Sequence, residues 1–289
     1  MHWEDKDDDS LQTDMPLDEL EDIEISLLLE GIYRAHGFDF RNYLRSSLRR
    51  RILHRKHITG APTITALLEM VLHEPGFVDK LLGDFSIKVT EMYRDPGFFL
   101  AFRREVVPAL RQLPEIRIWH AGCATGEEVY SMAILLQEEG LLEKSKIYAT
   151  DMNDSVIDIA KQGRFPLKRM QAYTKNYLQA GGDKEFSAYY TTDHQYAYFH
   201  PYVKENMMFA QHNLAADRSF NEFHVILCRN VLIYFDAILQ NRVHELFYDS
   251  LSPNGFLCLG SMESLISSYK PVYADFNCAE RIFRKAGAI

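Results

Sequence analysis

At 289 residues, 47% of them hydrophobic and 12% aromatic, the chain is long enough to bury a full α/β domain together with a smaller one. No stretch approaches the roughly twenty apolar residues of a membrane-spanning helix, and the acidic start is unlike the basic start of a secretory signal, so a soluble, cytoplasmic protein is expected. The formal net charge of −9 is unevenly spread: residues 1–30 hold twelve acids and one lysine, which leaves the remainder at +2.

Residues 1–13 have the polarity of a disordered tail. Asp14 and Pro16 then read as a helix start, with Ile23, Leu27, Leu28 and Ile32 as the apolar face. Residues 34–56 carry eight bases against one acid, Asp39. Phe40, Leu44, Leu48 and Ile52 recur at every fourth position and predict a buried stripe, with Arg41, Arg45, Arg49 and Lys56 on the face beside it. Taken alone, such a basic amphipathic helix reads as a solvated surface; a nucleic-acid surface is a second reading, weakened by the lack of interleaved aromatics. Breaks at Gly37, at Thr59-Gly60-Ala61-Pro62 and at Glu74-Pro75-Gly76 divide residues 17–85 into four or five helices. The expected organisation is a helical domain over 14–85, a linker over 86–97, and a second domain over 98–289 that opens on a helix at 98–112.

Strand-like runs follow at 117–121, 146–150, 207–211, 225–228, 255–259 and 277–284, with helical stretches between several of them. That alternation predicts an α/β fold with a doubly wound sheet. The first run opens onto Gly122-Cys-Ala-Thr-Gly126 and then a helix, where glycines let backbone N–H groups approach a nucleotide cofactor. The GxxxG spacing lacks the second phosphate-cradling glycine of GxGxxG, which favours a cofactor without a pyrophosphate. Asp151 ends the second run, placed to accept hydrogen bonds from ribose hydroxyls. The run 225–228 stops at Arg229 and Asn230, polar residues that are costly at the end of a buried strand unless they face a cleft; Tyr234 follows shortly after. Between 183 and 213 the aromatic runs 186–190, 195–199 and 207–211 favour antiparallel strands. Cys123, Cys228, Cys258 and Cys278 form no CxxC pair and read as reduced, mostly buried thiols, and His54 and His57 lack a third ligand, so no metal is expected.

Together with Val89-Thr-Glu-Met-Tyr-Arg-Asp-Pro-Gly-Phe-Phe99, these motifs closely resemble the CheR family of S-adenosylmethionine-dependent methyltransferases, which esterify glutamates on bacterial chemoreceptors. The resemblance runs over about residues 28–285. It implies a Rossmann-like methyltransferase sheet with an antiparallel edge formed around Gly255 and Asn277, an inserted β-subdomain at about 183–213, and an N-terminal helical domain that docks on receptor helices. It puts Arg94 and Tyr234 at the acceptor carboxylate. Cofactor contacts carry over to Lys88, Thr90, Arg94, Ala121, Gly122, Gly126, Glu127, Asp151, Met152, Asn213, Leu214, Arg229 and Asn230, with Lys88 standing where many members have asparagine. Arg41, Arg45 and Arg49 become a row complementary to glutamate-rich receptor helices. In some members the β-subdomain grips a peptide at the receptor's C-terminus through a glycine-containing turn; Thr191-Thr-Asp-His194 has no glycine, and a structural role for the tyrosines there stands beside the peptide reading. The implied activity is methyl transfer from S-adenosylmethionine to receptor glutamates by a monomer, with S-adenosylhomocysteine as product. A non-catalytic cofactor-sensing or receptor-binding module of the same fold, and a methyltransferase for another receptor-like signalling protein, are the alternatives.

Overall fold

The structure, a computed structural model, describes residues 16–85 and 90–286; the acidic tail over 1–13 and Lys88 lie outside the described residues. Among the described residues four helices come first: α1 (Leu17–His36), α2 (Arg45–Thr59), α3 (Ile64–His73) and α4 (Phe77–Phe85). Gly37 (φ 80°) and Gly60 (φ 69°) stop α1 and α2 in the left-handed conformation that closes a helix end. The Thr63 side chain caps α3 by accepting the Ala66 N–H.

Two sequence expectations shift here. On α1 the buried residues are Ile25, Leu28, Leu29 and Ile32, an i, i+3, i+4, i+7 stripe, whereas Ile23 and Leu27 are 43% and 51% exposed. Helix α2 begins only at Arg45, so Leu44 is its exposed N-cap and Arg41 precedes it, while Phe40, Leu48 and Ile52 are buried as expected. The arginine row is also turned onto its own domain. Arg49 pairs with Glu21 and Asp18, Arg41 with Asp39 and Glu30, and Arg45 donates to the Ser26 hydroxyl.

A helix in three parts, α5 (Pro96–Ala101), a π-helical turn (Phe102–Val106) and α6 (Val107–Leu110), leads to the α/β domain. The widened turn ends two residues before Pro108, which cannot donate to the carbonyl four residues back. Then come β1 (Ile116–Ala121), α7 (Glu127–Glu138), β2 (Ser145–Asp151), α8 (Asp154–Gln162), β3 (Arg164–Pro166), α9 (Met170–Gln179), β4 (Tyr190–Thr192), β5 (Tyr196–Phe199), α10 (Pro201–Lys204), β6 (Met207–Gln211), β7 (Phe223–Cys228), α11 (Ala237–Ser250), β8 (Leu251–Leu259), β9 (Tyr273–Asn277) and β10 (Ile282–Lys285). Seven strands form one sheet in the order β6-β2-β1-β7-β8-β10-β9. Its first five strands run parallel, and β10 is antiparallel to both β8 and β9. The run expected at 277–284 is thus two strands with a turn between them, the reversal that makes the antiparallel edge. Apolar residues fill both faces, with α5 to α7 and the insert on one side and α11 on the other.

The insert differs in composition from the expectation. Its sheet is β3-β5-β4, all antiparallel. Met207–Gln211 leaves it and pairs in parallel with β2, from Ile147 opposite Met207 to Asp151 opposite Gln211. A short apolar run satisfies either neighbour equally well locally, and the open edge of β2 takes it. The third strand comes instead from Arg164–Pro166, upstream of the expected boundary, and Phe186–Tyr189 is a 3₁₀ turn.

The helical domain is joined to the sheet by backbone pairing. Tyr43 bridges Phe235, Leu44 N–H donates to the Tyr234 carbonyl at 2.8 Å, and Asp236 N–H donates to the Asn42 carbonyl at 2.9 Å. The Tyr43 ring packs edge-on against Phe235 with centroids 4.8 Å apart.

Candidate active site

A cleft of about 420 Å³ opens where the carboxyl ends of β1, β2 and β7 meet helix α2, a size and a position typical of small-molecule sites in open α/β sheets. Its floor is the Gly122–Ala124 turn. Gly122 has φ 85°, and a Cβ there would stand 2.6 Å from Val231 Cγ2, so this position accepts no side chain. Beside it, Asp151 closes β2. Its Oδ2 accepts the Ala124 N–H at 3.0 Å and its Oδ1 the Asn153 N–H at 3.1 Å. Burial raises the Asp151 pKa against the lowering effect of these bonds. Met152, Val156 and Leu214 supply apolar wall, and Asn213 and His212 stand at the end of β6.

The opposite wall is built around Arg229, whose side chain is 2% exposed. Its guanidinium donates to Asp95 at 2.7 Å, to Glu128 at 3.0 Å and to the Arg94 carbonyl at 3.3 Å, and lies 4.1 Å from the Phe98 ring centroid. Burial pushes the Glu128 carboxyl up, but His120 at 2.9 Å and Arg229 outweigh it and hold the pKa below the ordinary value. Arg94 is flanked by Tyr93 (φ 53°) and Asp95 (φ 56°), both left-handed without being glycine. Such conformations persist only where the surroundings hold them: Ser131 accepts the Tyr93 N–H at 2.9 Å, and Asn176 donates to the Met92 carbonyl at 3.1 Å.

Of the residues singled out in the sequence, Thr90, Arg94, Gly122, Asp151, Met152, Asn213, Leu214, Arg229, Asn230 and Tyr234 line this one cleft. Three do not. Ala121 is the buried last residue of β1. Gly126 (φ 94°) starts α7, and a Cβ there would meet the Ala160 Cβ at 2.9 Å, so its role is close packing of α7 on α8. The Glu127 carboxylate points behind the turn, accepting the Thr125 hydroxyl at 2.6 Å and standing 3.6 Å from Arg169; burial raises its pKa. The glutamate on the cleft is its neighbour Glu128. Sequence reading also passed over His212 and the α2 side of the cleft, Tyr43, Ser47, Arg50 and Arg51. Tyr43 donates to the Met152 sulfur at 3.5 Å, while Arg51 donates to the Phe85 carbonyl and lies 5.6 Å from the Tyr234 ring centroid. His212 follows β6 beside Asp151, whereas Tyr43, Ser47, Arg50 and Arg51 carry no local signal, and only the packing of one domain on the other brings them here.

The donor set fits an adenosyl cofactor. A two-oxygen acceptor ends β2, the turn beside it carries no Cβ at Gly122, and the apolar wall of Met152, Val156 and Leu214 lies beside the polar Asn213. Fold and site define an S-adenosylmethionine-dependent methyltransferase. Residues 88–279 match the CheR methyltransferase SAM binding domain and residues 23–86 the CheR methyltransferase all-alpha domain. A Pseudomonas putida protein whose name includes methyltransferase Cher3 is 50% identical over 92% of this chain and 97% of its own length. The chemotaxis protein methyltransferase of Listeria innocua is 27% identical over 82% of this chain and 88% of its own. Chemotaxis protein methyltransferase 2 of Pseudomonas aeruginosa is 28% identical, covering 82% and 85% respectively. The chain belongs to the CheR methyltransferase family.

Proposed function

We propose that this methyltransferase esterifies glutamate side chains of a bacterial chemoreceptor. The observation that carries the reading is that Arg94 and Tyr234 face the same cleft as Asp151, so an acceptor carboxylate and a cofactor held at Asp151 meet within one small volume. The names of the Listeria and Pseudomonas aeruginosa relatives support a chemotaxis substrate. Bound S-adenosylmethionine supplies an electrophilic methyl group on a sulfonium. The acceptor carboxylate is already ionised at neutral pH, so no residue has to remove a proton. What the protein contributes is alignment and exclusion of water. In this reading Asp151 holds the ribose, Asn213 and Leu214 the adenine, and the Gly122 turn with Glu128 the methionine end, while Arg94 and the Tyr234 hydroxyl orient the carboxylate by charge-assisted hydrogen bonds.

Because Arg41 and Arg49 are paired with acids of their own domain, contact with an acidic receptor helix falls to Arg50 and Arg51, which line the cleft. The test is incubation with S-adenosylmethionine carrying a labelled methyl group and a purified chemoreceptor cytoplasmic fragment. Base-labile label mapped by mass spectrometry to glutamates is the expected result; label absent, or on another side chain, overturns the reading.

A further inference from the structure

The loop that brings Asn230 and Tyr234 to the cleft is built around one carboxylate outside it. Glu263, in the segment after β8, is 4% exposed. Its Oε2 accepts the N–H groups of Gly260 at 2.6 Å and Asn230 at 2.9 Å, and its Oε1 accepts those of Val231 at 2.8 Å and Ile233 at 3.3 Å. Asn230 has φ 62°. A left-handed residue turns successive backbone N–H groups to one side, which makes a concavity suited to an anion, and here the anion is a side chain of the same protein. Gly260 allows the approach, since a Cβ there would stand 2.7 Å from Glu263 Oε2 and 2.8 Å from the Asn230 nitrogen. The chain then runs directly into the 3₁₀ turn Leu232–Tyr234 and on to Phe235, which pairs with Tyr43. Ordinarily a loop at the end of a strand is free to adopt several conformations. Three of the five backbone N–H groups from Asn230 to Tyr234 are held by this one carboxylate, and the Tyr234 N–H is held by the Val231 carbonyl at 3.1 Å.

We infer that Glu263 is a positioning residue for methyl transfer: it fixes the Asn230–Tyr234 loop in the one conformation that presents the Tyr234 hydroxyl to the acceptor. The inference rests on the proposed role of Tyr234, and it assigns Glu263 no contact with cofactor or acceptor. Glu263→Gln keeps the size of the side chain but turns an NH₂ donor toward backbone donors, so the loop loses its single minimum. A merely structural carboxylate and one that acts through Tyr234 differ in their coupling. If Glu263 works through the hydroxyl, its replacement matters while the hydroxyl is present and matters little once it is gone.

The experiment is a double-mutant cycle of Glu263→Gln and Tyr234→Phe, measuring kcat for methyl transfer to a purified chemoreceptor cytoplasmic fragment, Kd for S-adenosylhomocysteine, and thermal unfolding. Glu263→Gln is expected to lower kcat by about tenfold or more in the wild-type background and by less than about threefold in the Tyr234→Phe background. Glu263→Asp, which retains the charge on a shorter arm, is expected to fall between wild type and the glutamine variant, and it carries the same cycle if Glu263→Gln does not fold. Equal fold-losses in the two backgrounds, or an unchanged kcat in the wild-type background, overturn the positioning role while leaving the methyl-transfer reading intact. A wild-type kcat in Tyr234→Phe alone is a different failure: it removes the role of the hydroxyl, and the positioning role with it.

Discussion

Replacing Asp151 by asparagine should weaken cofactor binding by a margin that the geometry sets. The carboxylate accepts backbone N–H groups from Ala124 at 3.0 Å and from Asn153 at 3.1 Å and lines the cleft, where on the proposed reading it also accepts the two ribose hydroxyls. Two hydrogen bonds to a charged acceptor are worth about 1.5–3 kcal/mol apiece. Against this stands the relief of a carboxylate whose ionisation burial already disfavours. The net expectation is about 2–4 kcal/mol, which is about 30- to 1,000-fold in Kd. Isothermal titration with S-adenosylhomocysteine at neutral pH, on wild type, Asp151→Asn and Asp151→Ala, reads this directly. The raised pKa adds a signature. The ionised form is the binding form, so wild-type affinity should fall with decreasing pH starting above the ordinary aspartate range, and this part of the slope should be missing in both variants. Affinities within about threefold of wild type in both would show that Asp151 does not hold the ribose.

Tyr234→Phe should lower kcat for receptor methylation by about tenfold or more while S-adenosylhomocysteine affinity stays within about threefold, because only a hydroxyl at the acceptor is removed; an unchanged kcat refutes the orienting role. Arg50→Glu with Arg51→Glu should reduce the initial methylation rate and flatten its dependence on ionic strength, whereas Arg49→Glu, set against Glu21 and Asp18, should chiefly lower the melting temperature of the protein. The opposite pattern would return the docking surface to the row Arg41, Arg45 and Arg49. His244 is fully buried against Tyr269, and burial pushes its pKa down to about 4 from 6.5. The unfolded chain therefore takes up this proton first on acidification, so the contribution is fully present above pH 6.5 and is lost as pH falls toward 4, about 3 kcal/mol over that window. Denaturant unfolding of wild type and His244→Phe across that range should show the shallower slope in the variant, and parallel curves would refute it.

The sequence by itself determined what rests on local pattern. Apolar runs ending in Asp151 and in Arg229-Asn230 identified the strands of a doubly wound sheet and the ends at which a ligand meets them. The glycines at 122 and 126 marked the turn between β1 and α7, because both positions take a positive φ that favours glycine. Most residues named from these motifs line one cleft for the same reason: they sit at the carboxyl ends of neighbouring parallel strands, which topology brings together whatever the loops do. Tertiary structure alone decided matters in which two local solutions are equivalent. Met207–Gln211 could join either sheet, and the free edge of β2 claimed it. Glu127 and Glu128 are indistinguishable as letters, and the rotation of α7 sends one behind the turn and the other to Arg229. Phase also separated the buried Ile25 and Leu29 from the exposed Ile23 and Leu27 on α1. Tyr43, Arg50 and Arg51 reach the cleft because two backbone hydrogen bonds, which form the Tyr43–Phe235 bridge, join the helical domain to residues 234–236, and Glu263 reaches Asn230 because β7 and β8 are neighbours in the sheet. Contacts of that kind span many residues of chain, and no periodicity within a single segment encodes them.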